Sequence, residues 1–155
     1  MTVAARLTEL GHVLPDVVVP LGAYVPAVVA GSQVLTSGQL PMVDGALPAT
    51  GKVGVGDGLV PPEQAHDLAR QAALNAIAAA AAAAGGVDRL ARVVKVVGFV
   101  ASDPAFTGQP AVVNGASHLL HEVFGDAGVH ARSAVGVAAL PLDSPVEVEV
   151  VFELA

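Results

Sequence analysis

The sequence predicts an α+β fold, a mixed β-sheet with two helices packed on one face and a short helix before them. Three observations carry this. The apolar pattern runs helix, two strands, helix, strand, helix, two strands. The run Val146-Glu147-Val148-Glu149-Val150 alternates with the period of a strand that buries one face. Seven consecutive alanines, Ala78 to Ala84, end at Gly85-Gly86, as a closely packed helix would end.

The elements follow in order. Thr2 is a candidate N-cap, and Val3, Leu7 and Leu10 recur at helical spacing before Gly11 stops them. Ala27 to Val29 and Val34 to Thr36 flank a Gly31-Ser32 turn and read as a hairpin. From Pro41 to Pro62 the chain is rich in Gly and Pro and reads as a long irregular connection, the kind that borders sites. Glu63 to Ala84 is a helix with an apolar stripe at Leu68, Leu74 and Ile77. Arg92 to Ala101 is so continuously β-branched that a central strand covered on both faces is expected. Pro110 to Phe124 forms the next helix, with Asn114 near its start. Arg132 to Leu140 and Val146 to Leu154 are the last strands, joined by a short Pro-bounded loop.

The 155 residues fit one domain, with residues 1–19 as a helical extension and 20–155 as the core. The absence of cysteine excludes disulfides, thiol nucleophiles, zinc-thiolate sites and iron-sulfur clusters. Seven basic against fourteen acidic side chains, with five aromatics and no tryptophan, argue against nucleic acid, which needs cationic contacts and stacking platforms. Met1 to Leu10 lacks a signal peptide's basic and long apolar regions, and the run Ile77 to Ala84 is too short to span a bilayer. A cytoplasmic protein with no membrane partner is expected.

On the strand Arg132 to Leu140, the residues Arg132, Ala134, Gly136 and Ala138 share one face. A guanidinium over small side chains leaves room for a small ligand, and its planar fork matches a carboxylate. The competing reading is a surface ion pair with an acid such as Glu153. Glu147 is either a general base that orients water or one of several solvated glutamates. His118, His121 and Glu122 lack metal-site spacing, no phosphate-binding glycine loop is visible, and no serine sits in a nucleophile elbow.

The stretch Ala131-Arg132-Ser133-Ala134-Val135-Gly136-Val137-Ala138-Ala139-Leu140-Pro141, followed by Val146-Glu147-Val148-Glu149, resembles the C-terminal signature of the YjgF or Rid family. Gly22-Ala23-Tyr24-Val25 with Val34-Leu35-Thr36-Ser37-Gly38-Gln39-Leu40-Pro41 resembles its N-terminal hairpin. The resemblance covers about Pro20 to Leu154 and implies a chorismate-mutase-like fold, a homotrimer, and ligand sites in clefts between subunits. It further implies cofactor-free, metal-free hydrolysis of enamines and imines to 2-oxo acids and ammonia, as in 2-iminobutanoate/2-iminopropanoate deaminases.

By the same resemblance Arg132 binds the substrate carboxylate, Glu147 lies near the attacking water, and Tyr24, Ser37, Gly38 and Asn114 line the cleft. Ala134 replaces a common cysteine and Gly136 an often acidic residue. The N-terminal helix and the long Pro41 to Pro62 connection make the chain longer than compact deaminase members, so that it resembles a divergent branch of the family. A non-catalytic carboxylate-binding trimer is therefore the alternative, and ribonuclease activity is the least favoured reading. If the last two strands form a hairpin about Leu142-Asp143, Arg132 lies near Glu153 and roughly 20 Å from Glu147, so that either the two meet only across a subunit boundary or the strands do not pair in this simple register.

Overall fold

The computed structural model describes residues 1–20 and 22–155, and its five strands form one mixed sheet in the order β1-β2-β5-β3-β4. β1 (Ala27–Ala30) and β2 (Gln33–Thr36) make the expected hairpin, turning at Gly31, which takes the positive φ a glycine tolerates. β3 (Leu90–Ala101), β4 (Ala131–Val137) and β5 (Val146–Leu154) complete the sheet. The helices are α1 (Val3–Glu9), α2 (Pro62–Ala84) and α3 (Gln109–Phe124).

Val146, Val148, Val150 and Phe152 of β5 are buried, and the alternate residues are half-buried. The buried set faces α2 and α3, so the period of two read from the sequence is the period of the core. The alanines of α2 from Ala76 to Ala81 are nearly all inaccessible. They are small because the helix is pressed between the sheet and α3. At Gly115 the fit is closest, since a methyl group there would overlap the His66 carbonyl. α1 is capped by the Thr2 hydroxyl and inserts Leu7 into the same core. Its Arg6 Nε donates to the Glu122 carbonyl at 2.9 Å. The long connection contributes buried Val53 and Val60, and Asn75 of α2 donates to the Leu40 and Met42 carbonyls to hold its start.

Two sequence expectations are corrected. The last two strands do not form a hairpin. β3 lies between them, parallel to β4 and antiparallel to β5. β4 follows α3, and a strand reached by such a helical crossover returns parallel to the strand before it. Beyond Val137 the chain then crosses β3's end, turning at Leu142 and Asp143, both with positive φ. Nor is β3 covered on both faces. Val93, Val96 and Val100 are buried beneath the helices, while Lys95, Val97 and Phe99 on the opposite face remain half-buried. No described helix is long and apolar enough to cross a membrane.

Candidate functional site

β4 carries Arg132 on the face that meets α3. Its Nη1 donates to Asn114 Oδ1 at 2.7 Å and to Ser117 Oγ at 3.2 Å, and its Nη2 donates to the Pro110 carbonyl at 3.3 Å. All three acceptors are neutral. A guanidinium has five N–H donors, and these contacts use three. The Nε–H and the second Nη2–H have no protein acceptor among the described residues. Nε and Nη2 together form the edge of the guanidinium that grips a carboxylate side-on. The positive charge is held in place without being neutralised.

The expected partner Glu153 is elsewhere, opposite Gln33 of β2 and Arg92 of β3. The expected open floor of small residues is also filled. Ala134, paired with Gly98, packs on the core, and a methyl group at Gly136 would press on the Gln109 side chain. These small residues let the start of α3 approach β4, which is how Asn114 reaches Arg132. The open volume lies to one side, in a 320 Å³ pocket walled by Ser117, His118, His121, His130 and Arg132.

Glu147 lies in a different place. It borders a second cleft of 320 Å³ with Tyr24, Gly38 and Gln39, walled by Val18, Val19 and Pro20 of the N-terminal segment. A Cβ at Gly38 would overlap the Glu147 carboxyl where it now lies, so a side chain there would displace that carboxyl from the cleft. Burial raises the Glu147 pKa above the ordinary carboxylate range, and Glu149 on the same strand face adds repulsion. Ser37 sits at the edge of this region, where its hydroxyl donates to the Val25 carbonyl at 2.6 Å.

The site residues named from the sequence therefore form two groups. Arg132, Asn114 and Ala134 lie on the helical side of β4. Tyr24, Ser37, Gly38 and Glu147 gather where the N-terminal hairpin meets β5. Val96 of β3 aligns with Arg132, and Phe99 aligns with Glu147. Two strand spacings and three residues of offset separate the two α-carbons by about 14 Å. Their side chains also point to opposite faces of the sheet, since Glu147 alternates with the core residues Val146 and Val148.

Sequence reading missed Ser117 and His130. The signal was present, because Ser117 lies three residues after Asn114 on α3 and His130 two before Arg132 beside β4. Three of the other histidines lie on or against α2. His66 and His118 meet edge to face at 5.9 Å, and His12 Nε2 lies 3.3 Å from Arg70. Arg70 grips Glu122 with both terminal nitrogens, at 2.5 and 3.2 Å, and this hydrogen bonding holds the Glu122 pKa below its usual value. No group of three possible metal ligands occurs among the described residues.

Residues 4–154 match the sequence model of the family described as "YjgF/chorismate mutase-like, putative endoribonuclease". The chain is 45% identical to protein TCP17 of Trypanosoma cruzi over 98% of its own length and 94% of that protein's. It superposes on the crystal structure of Atu1372 from Agrobacterium tumefaciens with a TM-score of 0.89 and 41% identity, covering 99% of this chain and 92% of that one. For E. coli TdcF, crystallised with bound serine, the TM-score is 0.63 and the identity 26%, over 92% of this chain and 94% of that one.

Proposed function

Because the chain belongs to the YjgF/chorismate mutase-like family, we propose that it binds small 2-oxo or 2-imino carboxylates at Arg132 and hydrolyses the imines to 2-oxo acids and ammonia. The single observation that carries this reading is the charge of Arg132, fixed by three neutral acceptors with one bidentate edge open. An arginine bound this way in a protein of net charge −7 attracts an anion of the size of one carboxylate. The amino acid serine bound in the relative TdcF carries one such carboxylate.

The reaction asks little of the protein. Water adds to the imine carbon, giving a carbinolamine. Loss of ammonia then leaves the 2-oxo acid. One group must take a proton from the water and return one to the departing nitrogen. A carboxyl whose pKa is raised by burial, as in Glu147, exchanges protons near neutral pH more readily than a solvated one. Fixing the carboxylate converts the addition into a step between positioned partners.

Arg132 and Glu147 face opposite sides of one sheet, so the site is completed by a second subunit, the Arg132 group of one meeting the Glu147 group of the next. A homotrimer whose three clefts each combine the two groups satisfies this, and the half-buried Val97 and Phe99 on the open sheet face are suited to such packing. The same separation favours one further reading, a trimer that binds carboxylates without turnover. Nuclease chemistry has less support, given an acidic chain with only five aromatics.

The test is ammonia release from enzymatically generated 2-iminopropanoate. The wild type is expected to accelerate it and Arg132→Ala to remove at least about 99% of the acceleration, the loss of a bidentate charge-assisted pair. Binding of 2-oxobutanoate without acceleration would support the non-catalytic reading. Equal rates with and without protein, and no binding, would reject both.

A further inference from the structure

We propose that Ser117 and His130 are positioning residues that aim the carboxylate-binding edge of Arg132, through a hydrogen-bond chain whose polarity is set at the Gly128 carbonyl. This rests on the reading of Arg132 as the carboxylate anchor.

The polarity follows link by link. Gly128 O lies 2.6 Å from His130 Nδ1. A carbonyl only accepts, so Nδ1 carries the hydrogen. His130 is half-buried, and its pKa is lowered chiefly by burial, with the Arg132 charge adding to the effect and the bond to Gly128 opposing it. At neutral pH the ring is therefore uncharged, and Nε2, with no hydrogen, is an acceptor. Ser117 Oγ lies 2.9 Å from Nε2 and must be the donor. With its hydrogen committed, the hydroxyl presents only lone pairs to Arg132, and Nη1 donates to it at 3.2 Å. Asn114 Oδ1 takes the other Nη1 hydrogen. Rotating the guanidinium to offer Nη1 to a ligand breaks this chain, so the edge left for a carboxylate is Nε with Nη2.

The start of the chain is itself fixed. A Cβ at Gly128 would overlap the Leu120 carbonyl, so the turn before β4 lies directly on α3 and cannot drift from it. The chain is also not sealed inside the core. Ser117, His130 and Arg132 together wall the 320 Å³ pocket, so a ligand on Arg132 has space beside them. His118 and His121 share that wall and are the other titratable groups facing it. They lie on α3 and contribute no link to the chain.

Calorimetric titration with 2-oxobutanoate, a stable carboxylate, tests this in the full-length protein. Ser117→Ala and His130→Ala are each expected to raise Kd about tenfold, the effect of one hydrogen bond to a charged group. The double variant should be no more than about twice as weak as either alone, because both cut one chain. Ser117→Thr and His130→Gln, which preserve the hydroxyl and the acceptor, should stay within about threefold of wild type. In turnover the losses should fall on KM, with kcat nearly unchanged. If Ser117→Ala binds like wild type while Arg132→Ala does not bind, the chain is idle and the proposal fails with the anchor intact. Multiplying losses in the double variant, or no rescue by Thr, would equally overturn it. Wild type and Arg132→Ala binding alike, or neither binding, would overturn the anchor and the proposal together.

Discussion

Arg70 and Arg132 are both half-buried arginines held by side chains of α3, and they have been given opposite fates. Arg70 meets a carboxylate, Glu122, and their charges cancel. Arg132 meets an amide oxygen, a hydroxyl and a backbone carbonyl, and its charge survives. The first arrangement joins α2 to α3 and ends there. The second orients a guanidinium through three neutral contacts and leaves it able to attract an anion. Orientation without neutralisation separates a binding arginine from a structural one.

The comparison breaks most completely if Arg132 is changed. Arg132→Ala should weaken 2-oxobutanoate binding by about a hundredfold or more, and Arg132→Lys should recover little, because an ammonium lacks the fork. Both are read by calorimetry. Asn114→Asp is the sharper test. It places a carboxylate on Nη1, makes Arg132 resemble Arg70, and should cost about tenfold or more in affinity while the protein remains folded. Unchanged affinity would show that the neutrality of the acceptors is irrelevant.

The reciprocal change at Arg70 should act on stability alone. Both partners of that pair are about one-third exposed, so solvent screens it. Arg70→Met should lower the Tm by about 2 °C and leave 2-oxobutanoate affinity unaltered. The contribution of Glu122, whose folded pKa is lowered, is present above its unfolded pKa and is lost as pH falls through the folded value.

Glu147 gives the smallest effect and the opposite sign. Its folded pKa is raised, so the fold favours the protonated acid and pays for ionisation as pH rises through the unfolded pKa toward the folded one. Glu147→Gln should therefore raise the Tm slightly at neutral pH, with the gain vanishing below the ordinary carboxylate range. Thermal melts across pH read this directly, and a Tm gain that persisted at low pH would contradict it.

The α+β fold and most strand and helix limits were legible in the sequence because they depend on local periodicity. The alternating valines of β5 and the alanines of α2 declare their partners wherever those lie. Strand order was not legible. Whether β4 pairs with β5 or with β3 depends on where α3 returns the chain, and no short stretch records that. The site was half legible for the same reason. Arg132 and Glu147 stand in recognisable stretches, but the opposite faces they occupy follow only from the register through β3. The small residues Ala134 and Gly136 suggested an empty floor. In three dimensions they make room for α3, whose Asn114 and Ser117 then hold the arginine.

The claim on which the rest depends is that one working site needs Arg132 from one subunit and Glu147 from another. Co-assembling Arg132→Ala subunits with Glu147→Gln subunits tests it most directly, by ammonia release from 2-iminopropanoate. Each variant alone should be nearly inactive. Random mixing pairs an intact Arg132 group with an intact Glu147 group in about one interface in four, so the mixture should regain roughly a quarter of wild-type activity. A mixture no more active than its components would contradict the shared site.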